Sequence, residues 1–485
     1  MNIRRALLFS LFPVPAFAAE PFAPAPWTGY RTLEVTETAG IARSGDPVDV
    51  AFRLPYATTV PAAALRMVSK TPAGLAEIPA QFYLLQADGR SVLSGRVIFL
   101  CPIAPREEKS FRLYYGDAGA GPGRYESRLS VRPAPQGPID GPMHWMIEND
   151  FYRIETYPRN GQIWHIWDKK GADRMWWFKE WNGLEKGGDP VDWSPNVWVA
   201  YPDRVNPDAG SPEKGQKAFA EPFDWHYVVG WVEPKTEITE GPLFYQVKRW
   251  GPVPPHPEHS DPTYDRPTRD IVWAEVTYRF YAGLPWYYQS SQLVTLADMD
   301  VYFIRNSQMV FRDSLFSHLA IRPETPGLLP GDGDETCILP LMGHFDRMPF
   351  AQGHTLSNIL PSKFGYYSLI NPENGDAYAN FPLVERDSTT TGGTPVMRNH
   401  HMSLSEGHDW TVYFARTFNY TNLRFNPENA TFMPKGQKFE DENVHLVYRY
   451  EGPQSLAALE HLYQTFKHPL LAEWVSDPSG SQAPK

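Results

Sequence analysis

Short runs of alternating apolar and polar residues, broken by Gly, Pro, Asn and Asp, recur along the whole chain and predict strands in preference to helices. Early in the chain they cover residues 31–36, 48–54, 80–85, 97–100 and 110–115, a spacing that predicts a small β-barrel or sandwich over residues 19–137. A Pro- and Gly-rich stretch, 124–142, reads as the linker to a larger β-sandwich over 143–450. That region opens with an alternating strand, 147–156, a turn at Pro158-Arg-Asn-Gly-Gln and a second strand, 163–167. Its middle is a strand, Gly-Pro turn and strand series over 271–306, which predicts an extended antiparallel meander with one face free to act as a trough. Only residues 455–467 follow a helical period, with Leu456, Leu459, Leu462, Tyr463 and Phe466 on one face. This helix, within a C-terminal segment 451–475, is expected to cover the sandwich, and 476–485 form a tail.

Chemistry concentrates just before the strand 411–418. The segment Met397 to Trp410 gathers Arg398, Asn399, His400, His401, Glu406, His408 and Asp409, and a rigid strand can hold such groups in place. These histidines can equally be a solvated turn. His344 and Asp346, two apart in Gly343-His-Phe-Asp-Arg, would share a face of a strand and a proton or a metal, or make a structural hydrogen bond. From Trp164 to Tyr201 aromatic residues crowd among polar ones. Trp176, Trp177, Trp181, Trp193 and Trp198, with Glu180, suit a carbohydrate site, because sugars have apolar C–H faces and hydroxyl rims. Tryptophans that only fill core volume are the competing reading. The acidic turn at Asp332, Asp334 and Glu335 has oxygen ligands at alternate positions but lacks the later bidentate Glu of a calcium loop. A divalent cation is therefore the one cofactor left open, with no metal ligands assigned.

Composition narrows the classes. Among 485 residues, 42% hydrophobic and 14% aromatic content supports folded cores. A formal net charge of −11 without a Lys/Arg run excludes the footprint of a nucleic-acid binder. Residues 1–18 read as a secretory signal ending at Ala16-Phe-Ala, so a periplasmic or secreted protein is expected, with no membrane insertion. Cys101 and Cys337 both lie in apolar contexts and are expected to be buried thiols.

The order Arg43-Ser-Gly-Asp-Pro-Val, Ile78-Pro-Ala-Gln, Leu113-Tyr-Tyr-Gly resembles the N-terminal β-barrel of exo-rhamnogalacturonan-lyase-like proteins. Ile147-Glu-Asn-Asp-Phe-Tyr with its following turn and strand is similar to the opening of the large sandwiches of polysaccharide lyases and several glycosidases. The 271–306 series looks like the sheet core of the supersandwich carbohydrate enzymes. The resemblance implies an all-β chain, an N-terminal β-barrel or sandwich followed by a large antiparallel β-supersandwich with a short C-terminal helix. It further implies a polysaccharide or oligosaccharide substrate and a polysaccharide lyase activity. The long helical repeats that often accompany the family are missing, which weakens transfer of that activity.

β-Elimination on a uronic-acid-containing glycan needs a cation or amide on the carboxylate, a base for the C5 proton and an acid for the leaving oxygen. Arg398 and Asn399 suit the first role, His400 or His401 the second, and Tyr366, Tyr413 or His408 the third. A glycoside hydrolase would instead draw a carboxylate pair from Glu180, Asp189, Asp192, Glu385 and Glu406. A non-catalytic glycan-binding protein is the third reading.

Overall fold

The computed structural model describes residues 20–23, 27, 29–55, 60–72, 74–89, 91–116, 121, 123, 125–135, 141–177, 190–200, 223–231, 234–255, 271–312, 315–323, 336–340, 358–361, 364–388, 399–405, 411–418 and 431–475. Within them the chain is all-β, with five antiparallel sheets and the helix Pro453–Lys467 near the C-terminus. Among the described residues no helix is long and apolar enough to cross a membrane.

The N-terminal module is a sandwich. Its larger sheet runs in the order Glu20–Pro21, Gly74–Ile78, Leu65–Thr71, Glu108–Tyr115, Gly29–Thr36, Leu471–Trp474, so the last described strand of the chain closes one edge of the first sheet. Arg43–Arg53, Ser91–Ile103 and Ala80–Asp88 form the facing sheet. Leu33, Val35, Met67, Phe99, Phe111 and Leu113 fill the space between, as strand alternation requires. Cys101 is a buried free thiol in this core, and burial pushes it up to about 12.

The large region is built on a nine-stranded sheet: Lys235–Thr239, Phe244–Pro252, Val272–Tyr281, Trp286–Thr295, Lys438–Arg449, Asp376–Ser388, Phe364–Ile370, His318–Pro323, Cys337–Pro340. One face carries Tyr281, Trp286, Phe381, Leu446 and Tyr448, packed against the helix residues Leu459 and Tyr463 and against Tyr83 and Ile98 of the N-terminal module. The other carries Val276, Tyr278, Leu293, Phe439 and Val447, and meets a seven-stranded sheet and a five-stranded sheet in the largest core. The seven-stranded sheet follows the order Phe223–Tyr227, Asn196–Ala200, Met299–Arg312, Thr411–Phe418, Asn399–Ser405, Asn358–Pro361, with Thr431–Met433 also paired to Met299–Arg312. The five-stranded sheet runs Met175–Trp176, Ile163–Asp168, Tyr152–Thr156, Trp145–Glu148, Ser130–Pro133.

The segment 147–156 is two strands, not one. Asn149 turns the chain, its Oδ1 accepting from the amides of Phe151 at 2.8 Å and Tyr152 at 2.9 Å, while its Nδ2 donates to the carbonyls of Tyr281 and Leu284. A polar side chain that satisfies two amides replaces the ladder bonds of a continuous strand. It also pins the five-stranded sheet to the Tyr281–Leu284 turn of the nine-stranded one.

Candidate functional site

Two polar constellations stand out among the described residues, and they differ in access to water. The first lies on the outer face of the five-stranded sheet. Ile154 and Ile166 point into the large core, so the alternate residues Arg153, Glu155, His165 and Trp167 share the opposite face. The register pairs Glu155 with His165 and Arg153 with Trp167. His144, just ahead of Trp145–Glu148, completes the group from the next strand. Its Nε2 lies 2.7 Å from Glu155 Oε1, and His165 Nδ1 lies 2.7 Å from Oε2.

The three side chains keep 9%, 14% and 7% exposure for His144, Glu155 and His165, so the cluster sits at the boundary between interior and solvent. Burial works to raise the Glu155 carboxyl, but the hydrogen bonds and charges of His165 and His144 outweigh it and hold the group below the ordinary carboxylate value. An ionised carboxylate only accepts, so each imidazole donates one N–H to it. That fixes the tautomers and leaves His165 Nε2 and His144 Nδ1 as the basic nitrogens. Trp164 stacks on His165 with ring centroids 4.5 Å apart, Trp167 meets its edge at 5.8 Å, and the Arg153 guanidinium lies 4.8 Å over Trp167. Arg153 also bonds the exposed Asp173 carboxylate at 3.0 Å. The face thus combines two oriented bases, aromatic surface and a cation.

The second constellation lies between the nine- and seven-stranded sheets and has no exposure. Asp192 Oδ1 accepts from the Ser194 amide at 2.9 Å and hydroxyl at 2.7 Å, and Oδ2 from Gln289 Nε2 at 2.7 Å and the Tyr278 hydroxyl. Because Gln289 gives its N–H to Asp192, its Oε1 must accept, here from His445 Nε2 at 2.6 Å. His445 Nδ1 is then the acceptor of the Tyr378 hydroxyl. Burial holds His445 neutral, its pKa lowered to about 3, and the same cause raises that of Asp192. Arg249, also wholly buried, donates to Gln162 and to the Asn160 carbonyl. Each residue bonds another, as polar groups inside a core require, and among the described residues only Arg249 Nε in this group is left without a partner.

The sequence-predicted residues distribute as follows. Asn399, His400 and His401 lie in Asn399–Ser405 and Tyr413 in Thr411–Phe418. The register aligns His400 with Arg416 and Asn306, His401 with Ala415, and Tyr413 with Ser403 and Val310. Arg398, His408, His344, Trp181 and Glu180 lie outside the described residues. Tyr366 is wholly buried with its hydroxyl on that of Thr336, and burial pushes it up to about 12. Trp176 is buried against Phe316, and Trp198 is buried within its strand. Trp177 is half-buried beneath Arg312, whose guanidinium lies 4.8 Å away, and half-buried Trp193 stacks on Tyr227 at 5.4 Å. Among the described residues no three His, Cys, Asp or Glu side chains are grouped to hold a metal ion.

No protein-family model matches the chain, and no curated protein matches it. Solved structures similar to it include a glycosyl hydrolase family 38 protein from Enterococcus faecalis, 13% identical with a TM-score of 0.49, over 94% of this chain and 48% of that one. An α-mannosidase from Enterococcus faecalis V583 is 12% identical with a TM-score of 0.48, over 92% and 46%. A putative aldose 1-epimerase from Klebsiella pneumoniae is 10% identical with a TM-score of 0.37, over 70% and 87%. The chain thus spans about half the length of the first two.

His144, Glu155 and His165 were not among the residues singled out from the sequence. The signal for two of them was present, since Glu155 and His165 stand five residues either side of Asn160 in the turn, the arrangement of facing residues in a hairpin.

Proposed function

We propose that the protein is an exported carbohydrate-active enzyme that cleaves a uronic-acid-containing glycan by β-elimination, with the imidazoles on Glu155 as its proton-transfer groups. The observation that carries this reading is a single ionised carboxylate holding two imidazoles, each by one N–H, at the edge of solvent and beside the half-buried ring of Trp167. In elimination a base takes the C5 proton, the C4–C5 double bond forms, the bond from C4 to the leaving oxygen breaks, and that oxygen takes up a proton. His165 Nε2 is suited to the first transfer, because the imidazolium it becomes is stabilised by Glu155. His144, when protonated, carries the proton for the leaving oxygen, and Arg153, two residues along the same face from Glu155, supplies a cation for the uronate in exchange for its pair with the exposed Asp173. Glu155 and Asp192 each have both oxygens engaged by donors, so neither is arranged as the general acid of a hydrolase.

The test is incubation of the mature protein with uronate-containing and neutral glycans, following ultraviolet absorbance of the unsaturated product and reducing ends in parallel. Both signals should grow together on a uronate polymer. Reducing ends without absorbance would establish hydrolysis instead, and silence across the panel would remove the enzymatic reading.

A further inference from the structure

A third polar and aromatic surface lies on the N-terminal module, on the face of the six-stranded sheet turned away from its core. Leu33, Val35, Leu65, Met67, Phe111 and Leu113 point into that core. Tyr30, Arg66, Arg112 and Tyr114 therefore fall on the outer face, where the register sets Tyr30 beside Tyr114 and Tyr114 beside Arg66. Such a face is ordinarily polar. Here Tyr30, 37% exposed, lies 5.2 Å from the ring of Tyr114, and half-buried Phe22 and Trp27 pack over Tyr114, Phe22 at 4.8 Å from it and Trp27 at 5.7 Å from Phe22. Tyr114 and Arg66 are thereby buried, and Tyr30 and half-buried Arg112 are the groups left in reach of a ligand.

Two guanidinium groups lie on these rings, and they differ. Arg66, 5.6 Å over Trp27, is committed to Glu77 at 3.0 Å and to backbone carbonyls. Arg112 lies 4.4 Å over Tyr30 and donates only to the Tyr114 hydroxyl at 3.2 Å, with no carboxylate partner among the described residues. Stacking on a tyrosine orders a guanidinium while leaving its N–H edge able to take an anion in the bidentate manner. The setting makes this unusual. With a formal net charge of −11 the chain repels polyanions, so any surface that holds one needs local cations of this kind.

We propose that this face is a second glycan-binding surface, separate from the Glu155 cluster, which takes a uronate-bearing segment with a sugar face against Tyr30 and its carboxylate on Arg112. The choice of a uronate rests on the same substrate class as the proposed reaction, whereas binding itself requires no turnover.

The experiment measures equilibrium binding of the full chain to polygalacturonate and to a neutral galactan by calorimetry, for the unaltered protein and for Tyr30→Ala, Arg112→Ala and Arg112→Lys, with thermal melts to show that each variant is folded. Tyr30→Ala and Arg112→Ala should each weaken polygalacturonate binding about tenfold, with Arg112→Lys in between because it keeps the charge and loses the planar fork. Unchanged affinity in both alanine variants would overturn the proposal, as would an unaltered protein that binds the neutral polymer as tightly as the charged one. A protein that binds polygalacturonate through Tyr30 and Arg112 but never turns it over would sustain this inference while removing the elimination reading. Turnover of short oligouronides that survives in Tyr30→Ala, with binding of the polymer lost, would sustain both.

Discussion

Asp192 and Glu155 are both carboxylates drawn out of water and held by donors through both oxygens, yet the two surroundings produce opposite chemistry. Around Asp192 the donors are a backbone amide, two hydroxyls and an amide side chain, and their own remaining groups are engaged further on, through Gln289 to His445 and Tyr378. Desolvation there dominates, the carboxyl is raised and His445 is kept neutral. Around Glu155 both donors are imidazoles, and their hydrogen bonds and charges outweigh the cost of burial. A closed network of uncharged donors makes an anchor between two sheets. A half-open pair of imidazoles makes a device for moving protons. Depth of burial and kind of donor both separate the two: Asp192 has no exposure and uncharged donors, whereas Glu155 keeps 14% exposure and is held by imidazoles.

The comparison breaks most sharply at Asp192. Asp192→Ala leaves the donors of Ser194, Tyr278 and Gln289 facing a cavity, and should cost about 3–5 kcal/mol of stability, read from chemical denaturation. If the variant is as stable as the parent, the network is not an anchor. At the outer cluster the larger loss should fall on rate: His165→Ala is expected to lower turnover of a uronate polymer by about 10²–10⁴-fold, with a smaller loss of stability than Asp192→Ala because the cluster keeps some exposure. Glu155→Gln separates the two imidazoles, because an amide accepts through one atom and donates through the other, forcing one histidine into the wrong tautomer. A loss of roughly 10- to 100-fold with an altered pH–rate profile is expected. An equal loss of stability at both sites, with no change in pH profile, would mean that the two clusters are the same kind of structure.

How much of this was legible before the structure follows from how local each signal is. Residues 411–418 were expected as a strand and form Thr411–Phe418, and the helix expected over 455–467 forms Pro453–Lys467. Each is decided by residues in one short window. The break at Asn149 was missed because period-two alternation continues through it while the Asn side chain captures two amides. His144 could not be found from the hairpin that aligns Glu155 with His165, since it arrives from a third strand. The Asp192 network was out of reach altogether. Its bonds to Tyr278 and Gln289 join positions 86 and 97 residues apart, and only the stacking of one sheet on another brings them together.

A third buried carboxylate sharpens the comparison with the smallest expected effect. Glu37, in the N-terminal module, accepts from the amides of Ala39 at 3.0 Å, Gly40 at 2.6 Å and Arg106 at 3.0 Å, and from Arg43 at 3.2 Å, which also ties the helix end through the His468 carbonyl. Burial pushes its pKa up, but three amide donors and a guanidinium reverse that and lower it from 4.5 to about 2. A carboxyl lowered on folding contributes stability that is complete above its unfolded value and lost as pH falls towards the folded one, here between about 4.5 and 2. Asp192, raised on folding, works with the opposite sign: its contribution is present below the unfolded value near 3.8 and is lost as pH rises through the folded one. Melting temperature followed from pH 6 downwards should therefore fall by a few degrees across the Glu37 window, and Glu37→Gln should flatten that slope while lowering the plateau. A slope unchanged by Glu37→Gln would show that the amide donors, and not the charge of the carboxylate, set the stability of this corner.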